Sequence, residues 1–231
     1  MAIIVRIDVD RPFGRQPVLR HVLSRVSSDL YFPRVQAFGY LRELADVLGI
    51  LENSCVRAHV FFRRCTLPSA SLLRQLERGG HQIGLHLENS RSRDCFVQEK
   101  GLLEQHVGRE VRIVSKHGSG GRKYGRTHFA PYEPEKYIEW AQALGMSAFL
   151  GNLEDPTISA FATASGLRVF PSAFWLEPSW RDTVRFSIEW LISAASKDDI
   201  VVLLHPENVL ADPVLSSDLV RLVRAVETRV L

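Results

Sequence analysis

Ala2-Ile3-Ile4-Val5-Arg6-Ile7-Asp8-Val9-Asp10 is an apolar run that ends in two carboxylates one residue apart, and its reading decides the fold. In a β-strand successive side chains alternate between faces, so Asp8 and Asp10 project together, roughly 7 Å apart. Two acids closing a buried strand suit a division of labour, in which one holds a cation and the other takes a proton from water. The plain alternative is a strand running out into a solvated, Asp-containing turn.

The rest of the chain repeats this strand with helices between. Leu41, Leu44, Ala45 and Leu48 have the three-and-four spacing of an amphipathic helix over 37–48, which Gly49 is expected to end. Val56–Phe62 and Gln82–Leu87 read as strands, with a helix between them opened by Ser69 and Ser71. Helices follow at Phe96–His106, Pro134–Leu144, Asp182–Ala195 and Val214–Val226. Strands are expected at Val111–Ser115, Ser147–Leu150, Leu167–Phe170 and Ile200–Leu204. The stretch from Arg11 to Pro33 is irregular, with a short helix expected near Val18–Val26.

Continuous strand–helix alternation implies an α/β protein: a single distorted or incomplete (β/α) barrel of about seven parallel strands with outer helices, over residues 1–231 as one domain. Asp8, Asp10, His86, His117 and His205 then fall at strand C-terminal ends, the face where parallel α/β folds build their sites.

Composition narrows the function. The 29 basic and 26 acidic residues give a net charge of only +3, and stacking aromatics do not accompany the basic residues, so a nucleic-acid-binding module is disfavoured. Cys55, Cys65 and Cys95 lack a CxxC spacing and fit a reducing compartment. No apolar run approaches the roughly 20 residues of a bilayer span, and Arg6 and Asp8 interrupt any leader core. A cytoplasmic protein is expected.

His86 ends the strand within Gly80-His81-Gln82-Ile83-Gly84-Leu85-His86-Leu87-Glu88-Asn89-Ser90. With Asp10 it makes half of a metal site, since zinc takes His nitrogen and carboxylate oxygen. The residues leave the third ligand open among Glu88, His117 and His128, while His81 reads as a support for its turn. Val114-Ser115-Lys116-His117-Gly118-Ser119-Gly120-Gly121 ends another strand in a glycine-rich loop whose backbone can approach an oxyanion or phosphate. Lys116 is a candidate to position a carboxylate such as Asp8. Arg122, with Lys123 and Arg126, would favour an anionic substrate. In Ile200-Val201-Val202-Leu203-Leu204-His205-Pro206, five apolar residues deliver a His to a strand end, placed to protonate a leaving amine.

Together these residues resemble the polysaccharide deacetylase superfamily of the NodB-homology type. Asp8-Val9-Asp10 looks like its first motif, Val60-Phe61-Phe62 like its aromatic second strand, Gly80–His86 like its metal motif and Val202–Pro206 like the strand carrying its catalytic His. The His-Leu-Glu-Asn and Lys-His-Gly-Ser-Gly patterns look closest to a WbmS-like branch associated with bacterial surface-polysaccharide genes. The resemblance implies metal-dependent removal of an acetyl or formyl group from an amino sugar, in surface polysaccharide (O-antigen) biosynthesis. Asp8 would be the base, His205 the acid, Asp10 and His86 ligands of a divalent metal such as zinc, and a backbone N–H near His117 or Gly118 the oxyanion donor. His117, Gly118, Ser119 and Arg122 would bind the substrate, which is expected to be anionic or nucleotide-linked. Two departures stand out. Ser90 occupies the position of the usual second metal His, which leaves His117, His128 or Glu88 to substitute for it, and the third motif lacks its Arg-Pro pattern. The alternative is therefore an inactive barrel that binds a carbohydrate or sugar nucleotide.

Overall fold

The computed structural model describes residues 2–14, 19, 22–24, 26, 27, 36–225 and 228–231. Among them the strands are β1 (Ile3–Val9), β2 (Ala58–Phe62), β3 (Gln82–Leu87), β4 (Ile113–Lys116), β5 (Ala148–Leu153), β6 (Phe161–Ala162), β7 (Arg168–Ser172), β8 (Phe174–Trp175) and β9 (Ile200–Leu204). They form one sheet in the order β6-β7-β5-β4-β3-β2-β1-β9-β8. Seven have four residues or more and run parallel to their long neighbours, as expected. The two-residue strands β6 and β8 sit at the ends and do not pair with each other, so the barrel is incomplete.

One side chain measures how far the sheet curls. Four inter-strand steps separate β1 from β5, about 19 Å in a flat sheet, beyond the span of an arginine. Yet Arg6 Nη1 on β1 donates to Leu150 O at 3.0 Å and Gly151 O at 2.8 Å on β5. Such contacts require the sheet to wrap around the Arg6 side chain.

The period-two pattern of β1 sorts its residues accordingly. Ile3, Val5, Ile7 and Val9 belong to the large core between sheet and helices, whereas Ile4 joins Phe61, Ile113, Leu150, Phe170, Trp175 and Leu203 inside the curl. Arg6 and Asp8 share the inner face with Ile4, so polar chemistry takes over where the inner apolar cluster ends.

The helices are α1 (Arg42–Asn53), α2 (Ala70–Arg78), α3 (Arg93–Val107), α4 (Pro134–Ala143), α5 (Ile188–Ala194), α6 (Pro206–Ala211) and α7 (Pro213–Ala225). Several boundaries differ from expectation, and two of the differences have a clear physical reason. Helix α1 runs through Gly49 because its apolar stripe continues to the fully buried Leu51, which outweighs the roughly 1 kcal/mol a mid-helix glycine costs. Helix α5 starts at Ile188, where the Ser187 side chain accepts from Trp190 N. Asp182 instead closes its own turn on the N–H groups of Val184 and Arg185. The helix expected near Val18–Val26 lies partly outside the described residues; residues 19, 22–24 and 26 are helical. No helix among the described residues is long and apolar enough to cross a membrane, and the three cysteines are free.

Candidate active site

The inner-face residues of β1 meet the ends of its neighbours at the floor of a cavity of about 650 Å³. Asp8, Asp10, His86, His117, Gly118, Ser119, Arg122 and His205 all line it. Of the residues expected at the site, Lys116 alone lies behind the wall.

Asp8 is clamped by Arg6. Nε and Nη2 of the guanidinium donate to the two carboxylate oxygens at 2.9 and 2.6 Å, and Nη2 also reaches Asn152 Oδ1 at 2.8 Å. Burial opposes ionisation of Asp8, but Arg6, with help from His86 and His205, holds its carboxyl below the usual range. The cation expected to position Asp8 was Lys116; it is Arg6. Lys116 is fully buried, its Nζ donating to His117 O at 2.5 Å and facing His128 Nε2 at 3.1 Å. Burial pulls the Lys116 ammonium down to about 8.

Asp10, His86 and His117 converge. Asp10 Oδ1 lies 3.1 Å from His86 Nε2 and 2.9 Å from His117 Nδ1, and the two ring nitrogens are 3.2 Å apart. Around a tetrahedral zinc with bonds of about 2.0–2.2 Å, neighbouring donors lie about 3.3 Å apart, close to all three separations. Asp10 Oδ1 is buried without a well-aligned hydrogen bond, as a ligand oxygen would be once its cation is taken away. Burial opposes charge on Asp10, while His117, His86 and His205 bring its carboxyl well below the normal range. Burial, with Arg63, drives the His117 imidazole down to about 3, so the ring is neutral with a lone pair to offer. A proton on His86 Nδ1, donated to Ser115 Oγ at 2.7 Å, leaves its Nε2 lone pair on the cluster. One carboxylate oxygen and two imidazole nitrogens therefore fit a divalent cation.

The other candidates for the third ligand are engaged elsewhere. Glu88 is paired with Arg63 at 2.8 Å and accepts from Thr127 at 3.1 Å. His128 accepts from Tyr124 N at 3.1 Å through Nδ1 and donates to His117 O at 2.8 Å. Ser90 lies outside the cavity lining and donates to Tyr137 Oη at 3.2 Å. His81 Nδ1 accepts from Ala58 N at 3.1 Å, the supporting role expected of it.

His205 completes the floor. Its Nδ1 faces Glu177 Oε1 at 2.9 Å and its Nε2 faces Asp10 Oδ2 at 3.5 Å. Burial disfavours its charge, but Glu177 outweighs burial and lifts the imidazolium to about 10. Glu177 is itself held by His205 N and Asn208 Nδ2, each at 3.0 Å. Trp175 packs beside His205 and stacks on Trp180 with centroids 5.8 Å apart, forming an apolar wall. One expected donor is absent: His117 N–H is spent on Leu87 O at 2.9 Å, which leaves Gly118 of the two backbone groups proposed for an oxyanion.

Fold and cavity together define an incomplete α/β barrel with an acid–histidine centre at the mouth of its parallel strands. No family model and no curated protein matches the chain. Solved structures do. A probable polysaccharide deacetylase from Pseudomonas aeruginosa PAO1 is 14% identical, with a TM-score of 0.59 over 96% of this chain and 83% of that one. Puue allantoinase is 12% identical, with a TM-score of 0.60 over 96% and 83%. The polysaccharide deacetylase Bc1974 from Bacillus cereus is 11% identical, with a TM-score of 0.50 over 97% and 86%. At these identities the likeness shows a shared fold.

Proposed function

We propose that residues 1–231 form one domain of the polysaccharide deacetylase type that hydrolyses the N-acyl group, acetyl or formyl, of an amino sugar. The observation that carries this reading is the meeting, on one cavity floor, of a clamped carboxylate, a cation-ready Asp/His/His cluster and a charged histidine. The motif resemblance supports a place in surface-polysaccharide (O-antigen) synthesis in the cytoplasm, with zinc at the cluster, and the basic loop at the rim supports a substrate that is anionic or nucleotide-linked.

The chain's own groups divide the work. Asp10, His86 and His117 would hold the cation, which when bound polarises the amide carbonyl and acidifies the attacking water. Asp8 takes a proton from the water as its oxygen attacks the carbonyl carbon. Arg6 keeps both carboxylate oxygens fixed for that transfer. As the C–N bond breaks, His205 gives its Nε2 proton to the departing nitrogen, and Glu177 stabilises the charged ring until then. Water is consumed, and a free amine and a carboxylate leave.

The binding-only alternative rested on Ser90; against it, His117 just beyond β4 offers a third donor beside Asp10 and His86. The test is elemental analysis of protein purified without chelator, with Asp10→Ala and His86→Ala alongside, followed by release of acetate or formate from N-acyl amino sugars. Near-stoichiometric metal, lost in both variants, and acid release are expected. A wild-type chain that takes up no metal even with added zinc would overturn the reading.

A further inference from the structure

One wall of the cavity carries charge that the reaction centre does not consume. Arg11, Arg63, Arg122, Lys123 and Arg126 line the cavity. Arg63 is committed to Glu88, and Arg11 faces Glu207 at 3.5 Å. Arg122, Lys123 and Arg126 come from a single loop, residues 118–126, and all three are exposed. Among the described residues Arg122 and Lys123 have no ion pair; the Arg122 guanidinium lies over the Tyr124 ring, 5.7 Å from its centroid.

This loop is built rather than loose at its root. Buried His128 takes the Tyr124 N–H and ties the loop back to His117 O. Gly118 turns it with φ +76°, and a Cβ there would stand 3.1 Å from the Tyr124 ring and 3.2 Å from His128 Nε2, so the turn requires glycine. The cations thereby line the same cavity as Asp8, Asp10, His86, His117 and His205. A lone carboxylate is satisfied by one arginine fork, whereas adjacent Arg and Lys suit the several oxygens and higher charge of phosphate. The cavity, about 650 Å³, sits mid-range for drug-sized ligands, so the sugar can bring a substituent with it.

We infer that the loop at residues 118–126 binds the phosphate groups of a glycosyl phosphate or diphosphate, so that the amino sugar is deacylated while still joined to its carrier. This rests on the deacylase reading for the sugar itself. A nucleoside diphosphate and a polyprenyl diphosphate present the same phosphate chemistry at this wall.

The test is calorimetric titration of the zinc-loaded chain with inorganic pyrophosphate, UDP, farnesyl diphosphate and glucuronate, repeated on Arg122→Ala/Lys123→Ala of equal zinc content. Phosphate compounds are expected to bind, and the double variant to weaken them about tenfold per cation removed, with a loss that grows less marked at high salt. UDP binding tighter than pyrophosphate would name a nucleotide carrier, and farnesyl diphosphate binding tighter would name a lipid one. Identical affinities in wild type and double variant would place the phosphates on the metal and overturn the inference, as would binding of glucuronate alone. An active, zinc-loaded deacylase blind to phosphate would sink this inference alone. A metal-free, inactive chain that binds UDP through Arg122 and Lys123 would sink the deacylase reading and keep the anion site.

Discussion

The floor of the cavity and its rim treat charge in opposite ways. At the floor three buried cations each have a carboxylate partner: Arg6 with Asp8 at 2.6 Å, Arg63 with Glu88 at 2.8 Å, His205 with Glu177 at 2.9 Å, all nearly closed to solvent. On the rim Arg122 and Lys123 stand exposed. Buried pairs are costly to break and hold geometry, while exposed charges cost little to keep and attract at a distance. The contrast assigns bond-making to the floor and selection to the rim.

The largest expected effect breaks the floor at Arg6. Arg6→Met strands the Asp8 carboxylate in the barrel interior, so stability should fall by about 3–5 kcal/mol and turnover by roughly two to four orders of magnitude. Urea unfolding reads the first and acid release the second. Adding Asp8→Leu to Arg6→Met should recover most of the stability and none of the activity. A stability loss below about 1 kcal/mol, the surface-pair range, would erase the contrast between floor and rim.

The Glu177–His205 pair sharpens the contrast through pH. With His205 raised to about 10 by Glu177, the acid stays protonated across neutral pH, and the basic limb of the rate profile should lie well above pH 8. Removing the negative partner lowers the imidazolium pKa, so in Glu177→Gln that limb should move down toward the ordinary histidine range of about 6.5. At pH 6 the variant should keep more of its activity than at pH 9. A limb that does not move would show that Glu177 holds His205 in place without setting its charge.

Much of this was legible in β1, where alternation alone puts Asp8 and Asp10 on one face. The same alternation puts Arg6 beside them, and the two-residue period is the signal that could have found it. Arg6 looked instead like an interruption of an apolar run, because its partners on β5 come from 144 residues away. Glu177 carried no such signal: it follows β8, whose two residues are too short for any period to show. The third member of the cation cluster was narrowed but not fixed, since the sequence left Glu88, His117 and His128 open. Register decides among them, by pairing His86 with Ser115 across β3 and β4 and delivering His117 just beyond. Helix α1 escaped its glycine for a related reason, since burial beyond Gly49 is a tertiary matter.

Lys116 gives the next smaller effect. Its ammonium and the His128 ring both hold the His117 carbonyl, so Lys116→Met should loosen the ligand without removing it. Outer-shell changes of this sort typically cost about 10–100-fold in metal affinity, and competition against a zinc chelator measures it. Lys116→Arg should restore part of the loss. Unchanged affinity in Lys116→Met would mean that the strand alone aims His117.

Ser90 should give the smallest effect, and the comparison needs it to be small. Its hydroxyl donates to Tyr137 Oη, which itself donates to Pro131 O at 2.8 Å and accepts from Glu133 N at 3.0 Å. Ser90→Ala therefore leaves Tyr137 satisfied and should cost about 1 kcal/mol, the net value of an ordinary hydrogen bond. Zinc stoichiometry and affinity should stay at wild-type levels, because the donor set Asp10, His86 and His117 is untouched. If Ser90→Ala lost the metal while keeping its fold, Ser90 would belong to the floor after all, and the triad built with His117 would be the wrong one.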